Sequence, residues 1–227
     1  IRNDRVVWAT SMVACGDADG AVTGNTRRFG ASLEKIKQVV DVRQGEIMFG
    51  LNMIVHKGRT IFVGDTSVHE YPTSEQMAEI AISTARVVRL FGFDPKVAFV
   101  SHSTFGQPLT SRTKHIRNAV ELLKEKKVDF EFDGDMQPDV ALNSEYEELY
   151  PFAKIVGKAN ILIMPGQHSA AISYKLMKSF ADTKVIGPLL VGLGLPIEIA
   201  PLRSSTSEIL NLASIAAYSA DVIDYKK

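Results

Sequence analysis

The chain has 227 residues, of which 45% are hydrophobic and 23% are charged, the composition of an ordinary globular protein. Acidic and basic residues both number 26, so the formal net charge is zero. A domain that binds nucleic acid usually carries a basic excess, and we therefore expect no nucleic-acid partner.

The first predicted element is a helix over residues 5–15, which ends at Gly16. Because this helix starts so early, we expect further structure upstream in a longer polypeptide. The single cysteine, Cys15, falls in its apolar pattern and is expected to be a buried, inert thiol. With one cysteine no internal disulfide can form, and no signal peptide opens the sequence, so a cytoplasmic location is expected.

A β-hairpin is predicted over residues 47–66, with its turn at Gly58. The elements predicted after it are a helix from Thr73 to about Leu90, a strand over 96–100, a helix over 111–126, strands over 129–132 and 160–164, a helix over 169–180, a strand over 185–190 and a last helix over 209–223. This alternation implies an α/β fold: a three-layer α/β/α sandwich with a mainly parallel sheet, the hairpin being an insertion. We expect one domain over residues 1–227. The longest apolar run, residues 185–200, is too short and too interrupted to cross a membrane, so no membrane partner is expected.

Several common site types do not fit the sequence. Gly192 and Gly194 lack the third glycine of a dinucleotide fingerprint, and no nucleophile elbow of the Gly-x-Ser-x-Gly type occurs. The five histidines show no metal-ligand spacing. Asp17 with Asp19, and the aspartates of residues 133–139, could hold a hard cation, but capping of turns is favoured. We therefore expect no metal site.

Polar loops follow three of the predicted strands, at residues 101–106, 133–137 and 201–208. Open α/β sheets bind ligands at such strand ends. In the third loop, Ser205 and Glu208 have the spacing of a capping box at the start of a helix. Free amides and the positive end of the helix dipole, with Arg203 just upstream, suit an anionic ligand.

The same segments resemble the phosphate acetyl/butyryltransferase family. The likeness is carried by Gly-Asp-Ala-Asp-Gly at 16–20, by the segment 65–75 in which His69 stands where the family has asparagine, and by residues 97–106 and 133–141. Within the family, Thr26-Arg27 and Met136 look more like the C-terminal domain of bacterial NADP-dependent malic enzymes. The resemblance implies a transacetylase-like fold over nearly the whole chain.

The loop before the last helix departs from the family pattern Leu-Ser-Arg-Gly-x-Ser-x-x-Asp-Ile-Val. Pro201 stands where the family has the serine that bonds the reacting acyl group, and Leu202 where it has the arginine that grips phosphate. Arg203 falls on the family glycine, and Glu208 on the carboxylate implied to deprotonate the coenzyme A thiol. Loss of one oriented donor costs about 10²- to 10³-fold in rate. We therefore expect no catalytic residues here, only degenerate positions.

The resemblance and these departures together suggest a non-catalytic regulatory and oligomerisation domain of an NADP-dependent malic enzyme. Acetyl-CoA is the expected effector, and a homodimer or higher homo-oligomer the expected assembly. The candidate acetyl-CoA contacts are Arg203, Ser204, Ser205, Glu208, Arg27, Arg28, Ser103 and Thr104. NADP and a divalent metal are expected only in a malic enzyme portion that these residues do not include. Two alternatives stay open: a phosphate acetyltransferase with weak residual activity, and a purely structural dimerisation module.

Overall fold

Helices and strands alternate along most of the chain in the computed structural model, which describes residues 3–223. The elements are α1 (Arg5–Cys15), β1 (Ala21–Gly24), α2 (Phe29–Ile36), β2 (Phe49–His56), β3 (Arg59–Gly64), α3 (Ser74–Leu90), β4 (Lys96–Val100), α4 (Ser111–Lys126), β5 (Glu131–Met136), α5 (Pro138–Leu142), a 3₁₀ turn (Ser144–Tyr146), β6 (Ile161–Ile163), α6 (Gln167–Lys178), β7 (Thr183–Val191), β8 (Ile197–Ala200) and α7 (Thr206–Val222). They divide into two units. Unit 1 comprises Ile1–Leu51 and Ile186–Lys227, and unit 2 comprises Asn52–Val185.

Unit 1 is built on two parallel strands, β1 and β8, paired from Ala21 opposite Ile197 to Gly24 opposite Ala200. Helices α1, α2 and α7 contact this pair. A Cβ atom on Gly24, whose φ is 94°, would collide with the Ala200 carbonyl oxygen, so only glycine fits there. The end of β1 therefore leaves no room for a side chain beside the Ala200 carbonyl group.

Glu198 is a buried carboxyl group in the middle of β8, with only 5% of its surface exposed. Its Oε2 accepts a hydrogen bond of 2.9 Å from the backbone N–H of Leu190. Burial raises the pKa of Glu198 to about 8, because the desolvated site disfavours the charged form more than this one hydrogen bond favours it. The side chain is accordingly neutral at pH 7.

Unit 2 is built on the strands β5, β4, β6, β3 and most of β2, which neighbour one another in that order in a sheet. The pairs β5–β4, β4–β6 and β6–β3 are parallel. Strands β2 and β3 form the predicted hairpin and contribute two neighbouring strands to this sheet. Because parallel strands all end at one edge, the loops after β3, β4 and β6 are brought side by side.

Helices cover both faces of the unit 2 sheet. Helix α3 packs on α4, and both begin with capping boxes, Thr73 with Gln76 and Thr110 with Thr113. On the other face, Ala170 of α6 and Val140 of α5 join the buried cluster of the strands. This arrangement confirms the predicted α/β class with a mainly parallel sheet.

Two local predictions were wrong. Strand β5 was predicted over 129–132 but runs from Glu131 to Met136, because its pairing with β4 continues through residues whose polarity suggested a loop. Cys15 is exposed and not buried, since α1 buries the face of Val6, Thr10 and Val13. Strands β1 and β8 and helix α2 were not predicted at all.

Candidate functional site

The candidate site of unit 1 lies at the adjacent carboxyl ends of β1 and β8. The N–H of Asn25 donates to the Ala200 carbonyl oxygen at 2.9 Å, and the N–H of Arg203 donates to the Asn25 carbonyl oxygen at 3.0 Å. The loop after β1, which carries Arg27 and Arg28, is thereby fixed against the loop after β8. The structure thus brings together six of the eight predicted contact residues in one unit.

The capping box of α7 is present as predicted. The N–H of Glu208 donates to Ser205 Oγ at 3.3 Å. In return, Glu208 Oε2 accepts from the Ser205 N–H at 2.7 Å and from its Oγ at 2.9 Å. The Glu208 carboxylate is therefore held by the start of its own helix.

Most backbone amides of the 201–208 loop already have acceptors. The Ser204 N–H and Oγ both donate to the Pro201 carbonyl oxygen, at 3.2 and 2.9 Å. Within the described chain, the amides of Thr206 and Ser207 have no acceptor, so the free donors at this helix start number two. An anionic ligand would therefore meet these two amides and nearby side chains.

Arg203 is exposed and adopts a left-handed backbone with φ of 61°. This conformation favours glycine, which is the residue of the family pattern at this position. The observed backbone therefore supports the alignment that places Leu202 on the family arginine. Leu202 is 56% exposed and offers neither charge nor donor.

The two arginines after β1 differ in their surroundings. Arg27 donates from Nη1 to Asp4 Oδ2 at 2.9 Å, and Asp4 caps α1 by accepting from the Val6 and Val7 amides. The hydrogen bond from Arg27 is the main cause of the lowered pKa of Asp4. Arg28 is exposed and makes no capping bond to α2. Arg27 also lines a pocket of about 240 Å³ with Arg5, Asn25 and Ala200.

The two remaining candidates belong to unit 2. Ser103 is fully buried, and its hydroxyl donates to Asp135 Oδ2. Asp135, also fully buried, accepts from the Gly106 N–H at 3.0 Å as well. Thr104 Oγ1 accepts from the Gln137 N–H at 3.3 Å. The geometry gives Ser103 a structural role, and a contact of Ser103 or Thr104 with acetyl-CoA stays a prediction.

Sequence reasoning missed a larger pocket in unit 2, of about 490 Å³. It opens at the ends of β3, β4 and β6 and is lined by His102, His115, His168, Glu70, Tyr71, Pro72, Ser101, Ser111, Ile116, Pro165, Gly166 and Ser169. Ser101 and His102 belong to the polar loop 101–106, which was predicted to lie at a ligand-binding strand end, whereas His115 and His168 were interpreted only through their lack of metal-ligand spacing. The signal available for His168 was its place shortly after the end of β6.

Among residues 3–223, no group of three or more His, Cys, Asp or Glu side chains could hold a metal ion. No helix in this described range combines the length and apolar character needed to cross a membrane.

Parallel strands that end in polar loops, with helices starting from those loops, are typical of α/β proteins that bind ligands at the strand ends. The chain belongs to the phosphate acetyl/butaryl transferase family, whose model matches residues 1–217. The family resemblance of the sequence motifs is thereby confirmed.

Three known proteins illustrate the relationship. The NADP-dependent malic enzyme of Rhizobium meliloti (strain 1021) is 46% identical over 97% of this chain, which spans 29% of that enzyme. The phosphate acetyltransferase of Clostridium acetobutylicum is 33% identical over 96% of this chain and 68% of that protein. The crystal structure of a phosphotransacetylase from Streptococcus pyogenes has a TM-score of 0.88 and 28% identity, covering 95% of this chain and 67% of that one. The chain thus spans under a third of the malic enzyme it matches.

Proposed function

We propose that this chain is a regulatory and oligomerisation domain that binds acetyl-CoA and does not transfer acyl groups. In this proposal it belongs to an NADP-dependent malic enzyme, which converts malate to pyruvate and CO₂. The observation that carries the proposal is the loop after β8. In this loop the Glu208 carboxylate is held in the cap of α7, and Leu202 stands where the family has a positively charged arginine.

The geometry of Glu208 argues against its use as a base. A general base must come within about 2.6–3.2 Å of the proton it takes. Oε2 of Glu208 already accepts two hydrogen bonds from Ser205, and releasing them costs the cap, worth about 1 kcal/mol. The phosphate substrate of the family reaction would also lack its arginine. The engaged Glu208 carboxylate and the missing arginine both favour a domain that binds acetyl-CoA over one that transfers its acyl group.

The same strand ends retain groups that suit the phosphates of coenzyme A. Arg203 and Arg28 are exposed, and neither forms an ion pair within the described part of the chain. The two free amides of α7 add donors beside the positive end of the helix dipole. Arg27, although bound to Asp4, lines the neighbouring pocket. A phosphate-bearing ligand would therefore find charge and hydrogen-bond donors together.

Regulation requires that acetyl-CoA bind one state of the assembly better than another. A coupling free energy of about 1 to 3 kcal/mol between effector site and catalytic site is typical. In the proposal the catalytic portion, with NADP and a divalent metal, lies outside residues 1–227, and copies of this domain associate with each other.

Calorimetric titration of the 227-residue protein with acetyl-CoA tests the binding. We expect saturable heat, and at least about tenfold weaker binding for Arg203→Glu, because the charge at the site is reversed. The matched control is Lys37→Glu, which makes the same charge change at the C-terminal end of α2. The absence of binding at millimolar acetyl-CoA, or equal affinities of the two variants and the parent, would contradict the proposed site.

Two further measurements separate the alternatives. Formation of acetyl phosphate from acetyl-CoA and phosphate at an appreciable rate would favour the phosphate acetyltransferase. Sedimentation of a stable dimer together with a complete lack of acetyl-CoA binding would favour the purely structural module. Binding without turnover is the expected result.

A further inference from the structure

The pocket of unit 2 combines a large volume with an unusual set of polar groups. Its cavity of about 490 Å³ is large enough for a small molecule. Three imidazoles and three serine hydroxyls line it, and Glu70 is the one acidic residue among the described lining residues. Oε1 of Glu70 lies 3.6 Å from His168 Nε2, a contact that is an ion pair when this imidazole is protonated. The imidazoles and hydroxyls of the lining can donate hydrogen bonds, which suits the oxygen atoms of an anion.

Donors for an anion are present at one side of this pocket. The N-cap residue of helix α6 is Gly166, which has no side chain to cap the helix, and the first turn of α6 contains no acidic residue. The Gln167 N–H donates to the His69 carbonyl oxygen at 3.2 Å. Within the described residues, the amides of His168 and Ser169 have no acceptor. Both residues line the pocket, so a ligand there meets two free N–H groups.

His115 in the same pocket is held so that it can exist in two protonation states. Its Nε2 lies 2.8 Å from the Pro72 carbonyl oxygen, which only accepts, so Nε2 carries a hydrogen. Its Nδ1 lies 3.0 Å from Ser74 Oγ, and this hydroxyl lies 2.9 Å from the carbonyl oxygen of His115. The hydroxyl has a single hydrogen to give.

The acceptor that the Ser74 hydroxyl chooses depends on whether the His115 ring is neutral or charged. When the Ser74 hydroxyl donates to Nδ1, the imidazole is neutral. When it donates to the His115 carbonyl oxygen, Nδ1 can carry its own hydrogen, donate to Ser74 Oγ, and leave the ring positively charged. Both states satisfy both ring nitrogens without moving a heavy atom.

The groups around His115 set which state is preferred. They are Glu75 in the first turn of α3, Glu70 and Tyr71 before α3, His102 after β4, His168 on α6, and Lys114 on α4 itself. An anion entering the pocket adds a negative charge to this set and favours the charged ring.

We propose that the pocket at the carboxyl ends of β3, β4 and β6 binds a small phosphate- or carboxylate-bearing ligand, and that His115 takes up a proton as the ligand binds. The proton comes from the solvent, forms the Nδ1–H bond, and turns the Ser74 hydroxyl to the His115 carbonyl oxygen. This site lies wholly in unit 2 and does not depend on the proposed acetyl-CoA site.

Sulfate and acetate are suitable probes, because neither titrates near neutral pH. Calorimetry of the 227-residue protein with each anion, against sodium chloride at equal ionic strength, measures binding. We expect saturable binding of at least one of them. Sulfate as the tighter ligand indicates a phosphate-bearing natural ligand, and acetate as the tighter one indicates a carboxylate. No saturable binding of either at millimolar concentration overturns the proposal.

Proton uptake is measured on the unmodified protein with a pH electrode in weakly buffered solution at about pH 6.5, where imidazoles exchange protons. Addition of the anion should consume up to one proton per chain, and sodium chloride at equal ionic strength none. Binding with no proton uptake refutes the role of His115.

Variants test whether His115 is the residue that takes up the proton. His115→Gln keeps a donor for Pro72 and an acceptor for Ser74 but cannot become charged. We expect it to abolish proton uptake and to weaken anion binding about two- to fivefold. The matched control, His56→Gln, alters a histidine of unit 2 that contacts Thr183 and not the pocket, and should change neither quantity. His102→Ala should weaken binding while leaving proton uptake by the bound fraction intact. Unchanged proton uptake in His115→Gln would overturn the assignment.

Discussion

Replacement of Glu198 by glutamine should make unit 1 progressively more stable than the parent protein as the pH rises. The carboxyl group has a pKa of about 8 in the folded protein and of 4.5 in the unfolded reference. Between these values the folded chain holds a proton that the unfolded chain releases, so the free energy of unfolding falls with rising pH. This contribution is fully present below about pH 4.5 and is lost by about pH 8.

The size of the effect follows from the shift in pKa. Each pH unit in that window is worth about 1.4 kcal/mol, so from about pH 5 to about pH 8 the parent loses about 4 kcal/mol. Glutamine does not titrate, and its carbonyl oxygen can keep the hydrogen bond from the Leu190 N–H. The variant should therefore escape this loss.

Urea unfolding followed by circular dichroism, at four pH values between about 5 and 8, measures the difference between variant and parent. Glu34→Gln, which removes an exposed carboxylate from the same unit, controls for the general change in charge. A Glu198→Gln advantage that stays constant within about 1 kcal/mol across the range would refute the assignment of a neutral buried carboxyl.

Three further substitutions test local geometry by urea unfolding. Ser205→Ala should cost about 1 kcal/mol through loss of the α7 cap, and no loss would mean that the capping box is not formed. Arg203→Gly should be more stable than Arg203→Ala by about 1 kcal/mol, because φ at this position is 61°; equal stabilities would contradict that backbone. Ser103→Ala should cost about 2 kcal/mol by removing a donor from buried Asp135, and a variant of unchanged stability would remove the case for a structural role.

The parts of the fold that sequence reasoning predicted depend on local signals. The capping boxes of Thr73 and Ser205 involve side chains three residues apart, so their spacing alone was informative. The end of β5 depends on pairing with β4, and β1 depends on β8, some 175 residues away in the chain. Such long-range pairing leaves little trace in a short window of sequence.

The candidate site likewise contains local contacts that could be predicted from the sequence and long-range contacts that could not. The Glu208–Ser205 contact could be predicted, because it lies within one helical turn. The hydrogen bond from Arg203 to the Asn25 carbonyl oxygen could not, since it joins loops from opposite ends of the chain. The pocket of His102, His115 and His168 was missed because its members converge only when three separate strand ends meet in one sheet.

The left-handed backbone at Arg203 bears on how such a domain could change its role. The loop after β8 follows a path that suits the glycine of its catalytic relatives, although arginine now occupies it. A variant designed to restore the family pattern in this loop would therefore keep the chain path and exchange the side chains at Pro201, Leu202, Arg203 and Glu208.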